Sequence, residues 1–394
     1  MSSSSRLFRR SAVAALAALA LVTTSACSAD EPSSTPSGSE PVEYKVGLAG
    51  VLSGPAAAGG TSIANGAELA VEEINSSGFL GENTSIVLGV EDAAGDPAKS
   101  IAIYQEFADE GYSAVLCCAL AGESGALAPQ IRDVGVPVVA TSTVLKDFAE
   151  APLIYRPYVL PDEEGGLYDT FLDEVIPGED IETAVVVVTA DNDGMVMLAD
   201  RITEGLERNG VEVLKRIETS AADTSFTSPA TEIAALNPDA VVSSTTFMPT
   251  ALLSRALRDI GNESTILTYA IDGKSTFDAS AGALAGALFP APFSAAFSEN
   301  DLAAGFAVAY EKEYDTAPDM FAAQGYTAIW LIAEGLKRAG TGDPEALGKA
   351  MAEIEEQETV FGPLTFDNGQ ALLGQPGVIL TWSEAGVMER WEQP

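Results

Sequence analysis

The chain has 394 residues, enough for two domains with separate hydrophobic cores. Hydrophobic residues make up 47% of it and charged residues 20%, a balance that supports folded cores rather than global disorder. The net charge of −38 excludes the basic surface that nucleic acids require and a polybasic membrane-binding patch. The absence of histidine excludes the Ser/His/Asp triad, Cys/His dyads and His-ligated metal sites. Three cysteines are too few for a disulfide-built scaffold.

The N-terminus has the organisation of an export signal. Arg6, Arg9 and Arg10 precede an apolar run at residues 12–22, and small residues follow. This run is shorter than the roughly 20 residues that cross a bilayer, so residues 1–26 are predicted to be a signal peptide. The sequence leaves open whether the Sec or the twin-arginine route exports the chain.

The signal ends in Thr24-Ser25-Ala26-Cys27, which resembles a bacterial lipobox, where the cysteine is acylated and the chain is cut before it. Thr24 replaces the usual leucine, so an ordinary signal peptide with a chance cysteine is the alternative. Residues 28–41 are rich in serine and proline and lack apolar periodicity, which is typical of a flexible tether. We therefore expect residues 27–42 to be a lipid anchor and tether, with Cys27 lipidated, at the extracytoplasmic face of a bacterial membrane.

Strands and helices then alternate along the chain. Apolar residues recur at helical spacing from Ile63 to Ile74, and similar signals continue to residue 140 and restart at residue 184. The first run of predicted strands is 43–52, 85–90, 114–118 and 137–140, with helices at 63–74, 97–110 and 124–133. The second run of strands is 184–189, 211–217, 240–243 and 265–269, with helices at 196–208, 229–236 and 250–260. Two βαβ runs with short connections predict an α/β protein with two doubly wound parallel sheets.

The remaining segment does not repeat this alternation. Helices are predicted at 301–314, 321–339 and 344–355, and strands at 362–366, 378–382 and 387–391. These elements are too few for a third α/β core, so we expect them to complete the first two domains.

Several motifs occur in an order and spacing that resemble one known family. They are residues 52–55 (LSGP), 65–75 (NGAELAVEEIN), 95–97 (GDP), 135–139 (GVPVV) and 361–367 (FGPLTFD). Together they make the chain, from about residue 43 to 392, similar to the type I periplasmic binding proteins of the leucine/isoleucine/valine-binding kind. Those proteins are the solute-binding subunits of ATP-driven importers.

The resemblance implies two lobes joined by three crossover segments, with ligand bound in the cleft between them. One lobe is then 43–161 plus 289–378, and the other is 162–288 plus 379–394.

The expected partners are an amino-acid-like ligand and the permease and ATPase subunits of an ABC importer, with contact to the membrane through the lipid anchor only. We expect a monomer without cofactor or metal. A ligand sensor or storage module of the same fold is the alternative. An enzyme is not favoured, because no nucleophile–base pair or phosphate-binding loop is visible.

In the family, loops after the third and fourth strands hold the carboxylate of the ligand. The candidates that this implies are Gly122, Glu123 and Ser124 after the third strand, and Ser142 and Thr143 after the fourth. Ala121 and Val144 stand where the family usually has a ligand-binding serine and threonine. Helix capping is the alternative role of Glu123 and Ser124.

In the second lobe, Phe247 matches an aromatic residue that covers the ligand, and Asp272 matches the acid that pairs with its ammonium group. A turn residue in an Asp-Gly pair is the alternative role of Asp272. Gly59 replaces a cleft aromatic of the branched-chain binders, while Asp193 and Glu123 would add acidity. The resemblance therefore implies an amino acid or a related small polar molecule, and more polar or cationic ligands stay open.

Cys117 and Cys118 end the third strand, close to the expected cleft. A disulfide between neighbouring residues closes a strained eight-membered ring, although an oxidising compartment can preserve one. We expect two buried thiols here, because free cysteine is among the most buried residue types.

Overall fold

The computed structural model describes residues 41–54, 56–160, 166–269, 271, 273–297, 300–373 and 377–393. The predicted signal peptide, Cys27 and most of the tether lie outside the described residues, and so does Asp272. Within the described ranges, no helix is both long and apolar enough to cross a membrane.

The first parallel sheet has five strands in the order β2-β1-β3-β4-β5. These strands are β1 (Val42–Gly50), β2 (Thr84–Asp92), β3 (Ala114–Cys117), β4 (Val138–Ala140) and β5 (Ile154–Tyr155). The connecting helices are α1 (Ala57–Ser77), α2 (Pro97–Asp109) and α3 (Ala121–Val134). Strands β3 and β4 are fully buried, as expected of strands with helices on both faces.

The second run of elements follows the same alternation. Its helices are α4 (Leu167–Gly178), α5 (Asp193–Arg208), α6 (Thr227–Leu236), α7 (Phe247–Asp259) and α8 (Lys274–Ala279). Its strands are β6 (Thr183–Thr189), β7 (Glu212–Thr219), β8 (Ala240–Ser244), β9 (Thr265–Leu267) and β10 (Leu288–Ala291). The valine run of β6 lies between β7 and β8 and is buried, which explains why it is apolar at every position.

The last segment contributes to both halves. Its elements are α9 (Asp301–Tyr314), α10 (Met320–Ala339), α11 (Pro344–Ala352), β11 (Gln357–Thr359), β12 (Gly362–Asp367), β13 (Gln370–Leu373), β14 (Val378–Trp382) and β15 (Met388–Arg390). Strands β11–β13 form a small antiparallel sheet, and Leu364 of β12 joins the core of the first sheet. Strand β14 pairs antiparallel with β10 and completes a seven-stranded sheet of order β15-β14-β10-β9-β8-β6-β7.

The prediction of an α/β fold with two largely parallel sheets is confirmed. We call the first sheet, its helices and residues 300–373 the first lobe, and the second sheet with its helices the second lobe. The predicted lobe boundary between residues 288 and 289 falls inside β10. Residues 289–291, which the prediction assigned to the first lobe, therefore belong to the second sheet.

The expectation of two free thiols at the end of β3 is wrong in this structure. Cys117 and Cys118 are joined by a disulfide, and both residues are fully buried. Cys118 adopts a left-handed backbone conformation with φ of 74°, which turns the chain out of the strand into the following loop.

Helices α1 and α10 pack with their backbones in contact, although they lie far apart in the sequence. Gly66 of α1 lies against the carbonyl group of Ala322, and Gly325 of α10 lies against the carbonyl group of Ile63. A methyl group at either glycine would overlap the facing backbone, which cannot move aside as a side chain can. The two glycines therefore set the distance between these helices.

Substituting Gly66 with alanine should destabilise the fold by about 1–3 kcal/mol, because overpacking forces the two backbones apart. Gly305 of α9 is the matched control, since a Cβ there meets nothing within 4 Å. Gly305→Ala should be neutral or stabilising by up to about 1 kcal/mol, as for other helical glycines. Urea unfolding of both variants measures the difference, and equal stabilities would contradict the packing argument.

Candidate ligand-binding cleft

The loops that follow the parallel strands of both lobes meet at one cleft. Segments after β3, β4, β6, β8 and β9 line it, together with the first turns of α1 and α10. In open α/β sheets, the carboxyl ends of the strands form the crevice where ligands bind. The cleft is therefore the candidate functional site.

Two adjoining cavities of about 70 Å³ and about 80 Å³ occupy the cleft. Both are lined by side chains of both lobes. The residues that contribute to both cavities are Ser142, Val144, Gly194, Met195, Tyr269 and Phe321. Shared walls make the two cavities parts of one binding region.

Two phenylalanines from opposite lobes cover the first cavity. Phe247 begins α7 and Phe321 lies in the first turn of α10, and their ring centroids are 5.3 Å apart in an edge-on arrangement. A Cβ on Gly59 would lie 3.2 Å from the ring of Phe247. The rings of Phe247 and Phe321 therefore fill the space beside Gly59.

Two polar side chains of the cleft lining are buried without a hydrogen-bond partner in the described part of the chain. They are the hydroxyl of Thr246 in the first cavity and the amide oxygen of Gln324 in the second. An unpaired buried polar atom costs about 1–3 kcal/mol, and a bound molecule that supplies the missing hydrogen bond recovers that cost. These atoms are well suited to bind a polar ligand.

The described lining of both cavities contains no charged side chain. Helix α7 begins at the cleft, and its N-cap residue Thr246 makes no side-chain capping bond, whereas the N-terminus of α3 is capped by Glu123. Uncapped N–H groups and the positive end of the helix dipole favour an anionic group such as a carboxylate. Burial raises the pKa of Tyr269, so its hydroxyl remains protonated and can also act as a donor.

The structure brings Ser142 and Phe247 together in the lining, as the sequence predicted for a shared site. It also places Ala121, Val144 and Gly59 there, the positions where the chain departs from the family pattern. The cleft therefore presents a methyl and an isopropyl group where hydroxyls are usual.

Glu123 has a structural role instead of a place in the cleft lining. It is fully buried, with Oε1 accepting a bond of 2.8 Å from the Ser100 hydroxyl and Oε2 accepting one of 3.1 Å from the N–H of Leu120. Burial raises the pKa of this carboxyl group, and the hydrogen bond from Ser100 opposes that rise. Glu123 thus caps α3, the alternative that the sequence left open.

The other predicted residues of these loops also lie outside the lining of the two cavities. The Ser124 hydroxyl donates to the Leu120 carbonyl at 3.0 Å, and the Thr143 hydroxyl accepts from the N–H of Leu145 at 3.3 Å, so both are engaged locally. Gly122 and Asp193 are exposed in the first turns of α3 and α5. The neighbours of Asp193, Asn192 and Gly194, line the cavity in its place.

Asp319 is an acidic residue beside the cleft that the sequence analysis missed. It caps α10, and its Oδ2 accepts a hydrogen bond of 2.7 Å from Ser62. A Cβ on Gly273, next to Asp272, would lie 3.5 Å from this oxygen. Desolvation raises the pKa of Asp319, which reflects its position between elements of both lobes.

Comparison with known proteins agrees with this architecture. The periplasmic binding protein family model matches residues 43–386. The Leu/Ile/Val-binding protein homolog 3 of Brucella melitensis is 24% identical over 350 residues, which cover 88% of this chain and 93% of that protein.

Two crystal structures show the same fold. The leucine-binding protein LivK of Thermotoga maritima superposes with a TM-score of 0.79 and 21% identity, over 89% of this chain and 98% of that one. The second is the branched-chain amino acid transporter substrate-binding protein LivJ of Streptococcus pneumoniae, in complex with isoleucine. It superposes with a TM-score of 0.79 and 20% identity, over 89% of this chain and 99% of that one.

The chain belongs to the periplasmic binding protein family, a family of solute-binding proteins rather than enzymes. The resemblance found in the motifs is thereby confirmed.

Thr246→Val should weaken binding of the cleft ligand by about fivefold, because one hydrogen bond is worth about 1 kcal/mol and 1.4 kcal/mol is a factor of ten. The melting temperature of the free protein should not fall, since valine removes an unpaired buried hydroxyl.

Thr250→Val is the matched control. The Thr250 hydroxyl bonds to Ser243 and Thr245 within the second lobe, so its loss should lower stability and leave affinity unchanged. Calorimetric titration and melting curves with a ligand found by screening separate these outcomes, and equal affinities of wild type and Thr246→Val would contradict the role of Thr246.

Proposed function

We propose that this protein is the extracytoplasmic solute-binding subunit of an ABC importer, and that it binds an α-amino acid in the cleft between its lobes. The observation that carries the proposal is the cleft itself, in which both lobes contribute aromatic cover and unpaired polar atoms, and the second lobe contributes the uncapped N-terminus of α7. The printed names of the relatives, which are Leu/Ile/Val-binding or leucine-binding proteins, support the choice of an amino acid.

The chemistry of the lining suits such a ligand at both of its ends. A carboxylate is favoured at the start of α7, whose N-cap residue Thr246 makes no side-chain capping bond. An apolar side chain is favoured against Phe247, Phe321 and Val144. Because the cavities are small, they suit an aliphatic amino acid better than a large aromatic one.

The ammonium group requires an acid or several hydrogen-bond acceptors. We assign it to Asp272, the position that matches the family's ammonium-binding acid, with Asp319 supporting it from the other lobe. Gly273, which follows Asp272 in the chain, approaches the carboxylate of Asp319, so Asp319 lies beside this segment of the second lobe.

A thermal-shift screen of the mature protein against the common amino acids tests the ligand class, because a ligand that binds only the folded state raises the melting temperature. Leucine, isoleucine, valine or alanine should give the largest shifts. Stabilisation by sugars or aromatic acids, with none by amino acids, would contradict the proposal.

Asp272→Asn should weaken amino-acid binding by roughly tenfold to a few hundredfold, because a charge-assisted hydrogen bond to a buried cation is worth about 1.5–3 kcal/mol and its loss leaves the ammonium group unpaired. Asp278→Asn is the control. Asp278 is exposed on α8 and pairs with Lys274, away from the cleft lining, so its substitution should not change affinity. If Asp272→Asn lowers the melting temperature and leaves affinity intact, Asp272 is a turn residue.

We also propose that Cys27 carries a lipid anchor, with residues 28–41 as the tether to the folded body. The supporting observations are the lipobox-like ending of the signal and the Ser/Pro-rich segment that follows. Delivery of ligand to a membrane permease and its ATPase requires the binding protein to remain near the membrane, and an anchor would meet that need. A monomer is the proposed state.

Cys27→Ala should move the protein from the membrane fraction to the soluble fraction, since acylation requires the sulfur. Cys118→Ala is the control and should remain membrane-bound, because Cys118 is buried in the folded body. Fractionation of cells that express each variant, followed by immunoblotting, measures the distribution. Persistence of Cys27→Ala in the membrane fraction would refute the anchor.

A further inference from the structure

The first lobe contains a second cavity that is separate from the cleft. It lies between the turn after α1, helix α10, the start of α9 and strand β11, and it has a volume of about 210 Å³. Phe79, Leu302, Thr327, Trp330, Glu334 and Glu358 are among its lining residues, and none of the residues that line it lines the cleft cavities. We refer to it as the Trp330 cavity. It is larger than both cleft cavities together.

Aromatic rings held in fixed positions form one wall of the Trp330 cavity. Phe79 and Trp330 meet edge-on with their centroids 5.1 Å apart, and the ammonium group of Lys337 lies 3.9 Å from the centroid of Phe79. Leu302 is half exposed and extends the apolar surface to the rim. Such a surface is suited to bind a flat apolar group, since aromatic pairs add to the gain from burial.

Thr327 provides a buried polar group in the same cavity. The residue is 1% exposed, and its hydroxyl has no hydrogen-bond partner among the described residues. A threonine inside a helix usually satisfies its hydroxyl with the carbonyl four residues earlier, and here that bond is not made. A hydroxyl group on a bound molecule would supply the missing partner and recover the cost of leaving it unpaired.

The charged groups at the cavity are two carboxylates of its lining and the ammonium group of Lys337, which lies over the Phe79 ring. Glu334 and Glu358 both line the cavity. Glu334 pairs with Arg338 at 2.8 Å, whereas Glu358 is exposed and has no ion pair in the described part of the chain. The strong negative charge of the whole chain also attracts cations. Glu358 is therefore the carboxylate available to a bound ammonium group.

We propose that the Trp330 cavity is a second ligand-binding site, for a small aromatic amine that carries a ring hydroxyl. The ring packs on Phe79 and Trp330, the hydroxyl bonds to Thr327, and the ammonium group pairs with Glu358. The site is independent of the amino-acid site in the cleft and does not rest on it.

Tyramine is the probe, because it combines a phenol, a short linker and an ammonium group. Calorimetric titration of the mature protein should show saturable binding of tyramine. Phenethylamine, which lacks the hydroxyl, and 3-(4-hydroxyphenyl)propionate, which replaces the cation with an anion, should each bind about tenfold more weakly or worse. If tyramine and the propionate bind with equal affinity, the ammonium group does not pair with Glu358, and the proposal is wrong.

Two variants locate the probe. Thr327→Val preserves side-chain shape and removes the hydroxyl, and Glu358→Gln changes only an exposed side chain, so both variants should fold. Each should weaken tyramine binding by about tenfold. Glu355→Gln, an exposed acid of the same segment outside the lining, should have no effect. Absence of tyramine binding would overturn the proposal. So would binding that is lost in Phe247→Ala and kept in Thr327→Val, since the probe would then occupy the cleft.

Discussion

The contact between helices α1 and α10 is the constraint on which the rest of the structure depends. The two helices belong to opposite ends of the chain, and Gly66 and Gly325 allow their backbones to touch. This contact fixes the start of α10 at the cleft, where Asp319 bonds to Ser62. Phe321 is thereby placed opposite Phe247 of the other lobe.

The same helix pair connects the cleft to the far side of the first lobe. Further along the two helices, the Tyr326 hydroxyl donates to the carboxylate of Glu73 at 2.5 Å, and Trp330 meets Phe79. One face of α10 therefore contributes to the cleft at its start and to the Trp330 cavity near its middle. Both sites therefore take part of their lining from the same rigid helix, which favours precise ligand geometry.

The sequence predicted the architecture well because local signals agreed with the fold. The buried valine run of β6 and the apolar period of α1 each identify an element without knowledge of its neighbours. Helices α4 and α8 and the short strands β5, β10, β11 and β13 were missed. Two to four residues carry too little periodicity to identify a strand, and β10 is recognised only through its pairing with β9 and β14.

The binding site was harder to predict than the fold, because its residues come from distant parts of the chain and meet only in the folded structure. Ser142 and Phe247 were found through the family resemblance, and both line the cleft. Glu123 lies in one of the expected loops, but its partner Ser100 comes from α2, a contact that spacing alone does not reveal. Phe321 was missed for the converse reason, since it reaches the cleft from a distant helix. Thr246 could have been found, because it directly precedes Phe247, which was a predicted site residue.

A ligand that lies between the lobes is expected to draw them together. In this structure Phe247 and Phe321 already meet across the cleft, and Val144 lies against Gly194 of the other lobe. The most direct test is small-angle X-ray scattering of the mature protein. The measurement is made with and without an amino acid that has already been shown by calorimetry to bind. The account predicts a smaller radius of gyration when the ligand is bound. An unchanged radius at saturation would contradict it.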